Sequence, residues 1–219
     1  MGVLFQPGDW AAIHLSVAVS FVSTGICVIA GLPAALWLAR TRSRLRPIVE
    51  VLVTLPLVLP PVVTGIGLLF FLPWLTAGLL FTWWAAAAAS AVMAAPLFIR
   101  TARTAIEALD PRLAAAAKTL GAGPWRVLTT ITIPLAWRGL VAATTLAWAR
   151  SLGEFGATMV VAGNIPHRTR TIPLAIWTTL QSRELSAVLP LVVASVVLSL
   201  VAVVVGEILV RRGRRTSNA

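Results

Sequence analysis

Apolar runs long enough to cross a lipid bilayer recur along almost the whole of this sequence, and they constrain its fold more than any other feature. The first extends from about Ile13 to Ala39, the second from Ile48 to Leu72, the third from Gly78 to Ile99, and the last from Ala187 to Val210. Each exceeds the roughly 20 residues that cover about 30 Å of hydrocarbon at 1.5 Å rise per residue. A further run between Pro134 and about Gly163 is weaker, because Arg138, Arg150 and Glu154 interrupt it and its continuous core spans only Gly139 to Ala149. Apolar residues make up 58% of the 219 and charged residues 11%, whereas soluble domains carry about 25% charge. Lipid is therefore the solvent. The predicted fold is all-α: a polytopic bundle of about five transmembrane helices, forming one transmembrane domain over residues 1–219.

Punctuation within these runs predicts how they bend. A signal peptide would carry its positive charge before a shorter apolar stretch, but here Arg40, Arg42, Arg44 and Arg46 follow the first run, which reads as a retained span containing Pro33. Pro56, Pro60, Pro61, Gly65 and Gly67 predict a kinked second helix, serving either close packing or a pore-lining, gating role. Pro73 and Trp74 mark its far turn, with Trp74 as an interfacial anchor. The alanine-rich stretch from Ala85 to Ala95 suits tight helix contact.

Residues 100–133 hold too many charges to span, yet Leu113, Ala116, Ala117 and Leu120 recur at helical spacing. The segment reads as a helical loop outside the bilayer. Asp110 would cap a helix that Pro111 opens, and Gly121 would close it in the left-handed conformation. Such a rod would lie on the lipid surface or dock onto a cytoplasmic protein. Near the end of the weak run, Arg150 and Glu154 are four apart and would share a helix face, with Gly153 and Gly156 flanking the carboxylate and opening the helix there. Charge at that depth marks either a path, gate or subunit contact, or a structural pair. The brief island Ile172 to Leu180 predicts a surface or re-entrant helix.

Charge placement sets the expected orientation. Fourteen of the 18 basic residues fall in the Arg40–Arg46 cluster, the 100–138 region and the tail, while Arg168, Arg170 and Arg183 fall on the other side. By the positive-inside rule the N-terminus lies outside and the C-terminus in the cytoplasm, which requires an odd number of crossings. Basic residues gathered beside spans explain the net charge of +11 without nucleic acid. A lone Cys27 offers no disulfide or thiolate metal site, and His14 and His167 lack a carboxylate cluster. With neither a phosphate-binding Gly-Lys-Ser/Thr loop nor a catalytic constellation, a membrane enzyme is disfavoured. A secondary carrier or a structural membrane subunit fits hydropathy equally well.

Two blocks carry a family resemblance. The stretch "AAAKTLGAGPWRVLTTITIP", Ala115 to Pro134, resembles the cytoplasmic-loop motif of ABC importer permeases, which reads Glu-Ala-Ala, three residues, Gly, nine residues, Ile, one residue, Leu-Pro. Ala116, Ala117, Gly121, Ile131 and Pro134 match; Ala115 stands where the motif has glutamate, and Ile133 replaces leucine. The stretch "RSLGEFGATMVVAGNIPHRTRTIPLAIWTTLQS", Arg150 to Ser182, is similar to the signature of molybdate permeases. Sulfate and tungstate permeases share its Gly-Glu-Phe-Gly core, so the oxyanion class is specified more sharply than the anion. "LPLVLPPVVTG", Leu55 to Gly65, resembles their proline-rich second core helix.

The resemblance implies a type I ABC importer permease fold whose rod is a coupling helix, with Ala115, Ala116, Ala117, Gly121, Ile131 and Pro134 at the contact to an ATPase. It also implies a second permease copy, two cytoplasmic ATPase subunits carrying ATP and Mg, an extracytoplasmic oxyanion-binding protein, and a multi-pass location in a bacterial cytoplasmic membrane. The chain itself would bind no cofactor or metal. Pro60, Pro61, Gly65, Arg150, Gly153, Glu154 and Gly156 are candidates for the translocation path or gate.

Overall fold

A computed structural model of the chain describes residues 7–75, 78–182 and 185–215, and every regular element in them is helical. Helix α1 runs Pro7–Arg40, α2 Arg46–Val58, α3 Pro61–Leu75, α4 Trp83–Glu107, α5 Pro111–Thr119, α6 Pro124–Val127, α7 Ile133–Leu152, α8 Gly156–Ala162, α9 Ile172–Gln181 and α10 Leu185–Arg215. A π turn, Leu128–Thr132, joins α6 to α7.

Helix α4 is the axis of the bundle. Thr82 starts it by accepting a hydrogen bond from the Ala85 amide, and its alanines then bring neighbouring backbones close where lipid supplies no hydrophobic drive between helices. Ala85, Ala86, Ala87, Ala89 and Ala94 are all fully buried. One packed cluster joins Cys27, Ala35 and Leu38 of α1 to Phe98 and Ala102 of α4 and Ala143 and Ala147 of α7. Another joins Val19, Leu72 and Met93 to Ala157 and Val161 of α8. By contrast α10 exposes Leu189, Val193, Val196, Leu200 and Val203, and no residue of α2 is buried. In water such surfaces would be untenable; in hydrocarbon they are simply solvated.

Contacts at the helix ends order the crossings. An Arg40 Nη2 hydrogen bond to Thr132 Oγ1 (2.7 Å) and an Arg46 Nη2 hydrogen bond to Glu107 Oε1 (3.0 Å) gather the end of α1, the start of α2, the end of α4 and the approach to α7 at one basic end. Helix α4 has 25 residues, so Trp83 lies about 36 Å from that end. The chain from Arg46 to Thr82 must therefore traverse the bundle. Leu191 of α10 packs with Ala12 of α1 and Ala175 of α9, far along α1 from Arg40, so α10 runs back toward the basic end. Four stretches, Gly8–Arg40, Trp83–Glu107, Pro124–Leu152 and Ser186–Val210, are long and apolar enough to span, and the bent α2–α3 pair makes a fifth when taken as one span.

The structure corrects several sequence expectations. The second run is not one kinked helix: α2 and α3 meet at a 116° bend, because Pro60 and Pro61 remove consecutive amide donors. Helix α4 continues through Arg100 and Arg103 to Glu107, so the basic residues expected in the loop begin on the span itself. The fourth crossing begins at Pro124, ahead of Pro134, and passes through the π turn. The Trp74 side chain, residue Arg183 and the side chains of Arg211, Arg212, Arg214 and Arg215 lie outside the described residues.

Candidate functional site

At the basic end, α5 stands off the bundle with no buried residue. Its start is fixed by Asp110, whose Oδ1 accepts the Arg112 amide at 2.9 Å with Pro111 in the first turn. Its end is a Schellman closure: the Gly121 amide donates to Lys118 O and the Ala122 amide to Ala117 O, both at 3.0 Å. Gly121 has φ +82°, in the left-handed region that favours glycine. Among the described residues, no atom beyond its chain neighbours would lie within 4 Å of a Cβ there, so the cap faces open space. Ala115 and Ala116 are exposed, Ala117 and Ile131 half-buried, Gly121 and Pro134 exposed.

Two ion pairs within single helices, Arg46–Glu50 and Arg103–Glu107, join into one network here. Arg46 and Arg103 each contact both Glu50 and Glu107, at 2.8 and 3.0 Å and at 2.7 and 2.8 Å respectively. Partly exposed pairs of this kind contribute little singly, but this set ties the first turn of α2 to the last turn of α4. The π turn next to it carries Thr132, whose hydroxyl receives Arg40; the 92-residue separation of that pair gives no sequence signal.

The second constellation lies where α3 crosses α8. Helix α7 stops at Leu152, and Gly153 follows it at φ −91°, a conformation open to any residue. Glu154 then falls in the opening expected between Gly153 and Gly156, and the pair with Arg150 forms: Nη1 lies 2.8 Å from Oε2, with the carboxylate side chain 1% exposed and the guanidinium 26% exposed. The other oxygen, Oε1, accepts the Ala157 amide at 2.9 Å. Both carboxylate oxygens are thus engaged, one neutralising Arg150 and one capping α8, whose short length gives it little independent stability.

Pro61, Gly65 and Gly156 meet at the same crossing. A Cβ on Gly65 would lie 2.9 Å from Ala157 Cα and Val160 Cβ, and one on Gly156 would lie 2.8 Å from Pro61 Cβ. Pro60 is exposed and acts through its carbonyl, which accepts the amides of Val63 and Thr64 and so starts α3. After α8, residues 163–171 form a compact loop. Arg170 Nε donates to Asn164 Oδ1 (2.8 Å) and Asn164 Nδ2 to Thr178 Oγ1 (2.7 Å), while the Ile172 amide donates to Ser16 Oγ of α1. Among the described residues, no three of His, Cys, Asp and Glu converge as a metal site would require. The arrangement is a helical scaffold with a capped rod at one end and a neutralised buried charge near the other.

Comparisons with known proteins agree with this architecture. Residues 31–215 match the family described as binding-protein-dependent transport system inner membrane component. The chain is 39% identical to the molybdenum transport system permease protein ModB of Escherichia coli strain K12, covering 97% of each. It is also 39% identical to the ModB of Haemophilus influenzae Rd, covering 92% of this chain and 93% of that one. Among solved structures, an inward-facing conformation of the MetNI methionine ABC transporter aligns with TM-score 0.78 at 22% identity, covering 95% of this chain and 98% of that one. A bacterial ABC transporter that imports alginate aligns with TM-score 0.74 at 18% identity, over 95% and 80%. The shared fold is that of a type I ABC importer permease.

Proposed function

The chain belongs to the binding-protein-dependent transport system inner membrane component family, and from that premise we propose that it is the membrane-spanning permease of an ATP-driven importer of molybdate. The observation that carries the mechanism is α5, a rod capped at both ends, with no buried residue and held at the basic end of the bundle. Such a rod suits a groove on an ATP-hydrolysing subunit, which would carry ATP and Mg. Two permease copies form the path, and the apolar surface of α2 that this chain leaves uncovered suits a second copy. An extracytoplasmic binding protein delivers the anion. The chain acts as one transmembrane unit, with residues 100–133 as its coupling region. Closure of the ATPases moves the rods and switches the helices between inward- and outward-facing states. Ala115, Ala116, Ala117, Gly121, Ile131 and Pro134 serve coupling, whereas Pro60, Pro61, Gly65, Arg150, Gly153, Glu154 and Gly156 shape the path.

The choice of molybdate is supported by the two ModB relatives. Molybdate and tungstate are tetrahedral dianions of nearly equal size, whereas sulfate is smaller. Reconstitution with the ATPase and binding protein is expected to give ATP-dependent molybdate uptake that excess tungstate suppresses and sulfate leaves largely intact. Sulfate uptake indifferent to excess molybdate would overturn the substrate.

The basic end is cytoplasmic in this reading, supported by its share of the arginines. Cysteine labelling is expected to find positions 44, 118 and 212 protected from the outside and position 167 accessible there. External labelling at position 118 would reverse the orientation and remove α5 from the ATPase side.

Coupling also depends on the shape of the rod. Gly121→Val forces a β-branched residue to φ +82°, at a cost of about 2 kcal/mol, and opens the Schellman closure. ATP hydrolysis by the assembled complex should lose its stimulation by loaded binding protein. Normal stimulation in this variant would show that the cap is not used.

A further inference from the structure

At the basic end, α1, α4, α5 and the π turn surround a cavity of about 680 Å³. Arg40, Arg42, Arg46 and Lys118 line it, and the carboxylates in its wall are Glu107 and Asp110. The acidic groups are already engaged. Glu107 is shared between Arg46 and Arg103, and Asp110 caps α5. Arg40 spends one nitrogen on the neutral Thr132 hydroxyl, and among the described residues Arg42 and Lys118 enter none of the ion pairs. Arg40, Arg42 and Lys118 therefore face the cavity against the single remaining charge of Asp110, an excess of two positive charges beside an apolar wall that includes Ile106, Leu109 and Leu113. Low-dielectric walls strengthen such a field.

The cavity also reaches the apolar flank of the bundle. Leu135, half exposed at the start of α7, lines it. Trp137 on the same helix is exposed, as is Trp37, one turn before Arg40. Tryptophan beside arginine is the side-chain pattern of a bilayer boundary. We infer that this cavity seats the phosphate of one anionic phospholipid, with Arg40, Arg42 and Lys118 around the headgroup and the acyl chains leaving past Leu135. The ligand chemistry is a tetrahedral phosphate oxyanion beside hydrocarbon. A free oxyanion would satisfy the cations and leave the apolar exit unused. Basic pockets between spanning helices bind lipid headgroups on this physical basis. The inference goes beyond transport and uses the orientation above only to place the lipid in the cytoplasmic leaflet.

The test uses the complete transporter, with its ATPase, purified in detergent and titrated with phosphatidylglycerol or phosphatidylcholine while native mass spectrometry counts retained lipid. Wild type should keep one phosphatidylglycerol per permease chain and release phosphatidylcholine. Each basic side chain contributes on the order of fivefold in affinity, so the double variant Arg42→Gln/Lys118→Gln should bind phosphatidylglycerol about twentyfold more weakly. Both side chains are exposed, so the variant is expected to fold. Arg168→Gln, in the loop after α8, should bind as wild type does. Equal retention of the two lipids, or unchanged phosphatidylglycerol binding in the double variant, would overturn the site. Displacement of phosphatidylglycerol by excess inorganic phosphate would assign the cavity to a free oxyanion and overturn the lipid. None of these readouts depends on molybdate uptake or on the labelling pattern.

Discussion

Glu154→Ala is expected to be among the most damaging single substitutions in the chain. The carboxylate is 1% exposed, pairs with Arg150 and caps α8 through the Ala157 amide. Truncation leaves a mostly buried guanidinium unpaired, frees a first-turn amide and empties space beside the α3–α8 crossing. Together these should cost about 3 kcal/mol, toward the lower end for a broken buried pair because Arg150 retains some exposure. Glu154→Gln keeps an oxygen for the Ala157 amide but turns its NH2 group toward the Arg150 guanidinium, donor against donor, so about 2 kcal/mol is expected. Adding Arg150→Gln to Glu154→Gln should recover part of that loss, because no charge then remains unmatched. Thermal unfolding of the purified complex in nanodiscs reads all three. If Glu154→Ala melts with wild type, the pair neither caps α8 nor holds the break together.

Gly65 and Gly67 of α3 should respond in opposite senses to an added side chain. A Cβ at Gly65 meets the Ala157 backbone and Val160 Cβ at 2.9 Å, whereas a Cβ at Gly67 meets nothing within 4 Å. Backbone cannot swing aside as a side-chain tip can, so Gly65→Val must push α3 off α8. The cost should be about 3 kcal/mol, the upper end for overpacking, with uptake lost as the bent crossing shifts. Gly67→Ala should be neutral, or stabilising by about 0.5 kcal/mol, since alanine suits a helix better than glycine. Stability and uptake measured side by side would decide it, and equal losses at both positions would mean that α3 does not seat on α8 through Gly65.

Much of the candidate site was legible residue by residue, and the illegible part has a common cause. Asp110, Pro111 and Gly121 announce the limits of α5 because capping is set by a few neighbouring residues. The Arg150–Glu154 spacing likewise announces a local pair. Gly153 and Gly156 announced the opening around Glu154, whereas the turn of its second oxygen to Ala157 was not legible, since it depends on where α8 begins. Nor was the joining of two ion pairs from α2 and α4 into one network, which requires those helix ends to be neighbours.

By itself the sequence determined the solvent, the class of fold, the approximate limits of the spans, the capped rod and the asymmetry of positive charge. These are properties of composition and of spacing over a few residues. Only the tertiary structure decided the 116° bend between α2 and α3, the central place of α4, the seating of Gly65 and Gly156, and contacts such as Trp148 Nε1 to Ser20 Oγ across 128 residues. The physical reason is the bilayer. A helix in water advertises its buried face as an apolar stripe, but in hydrocarbon both faces are apolar. Association then rests on close fit, small residues and sparse hydrogen bonds, which become visible only when the surfaces are brought together.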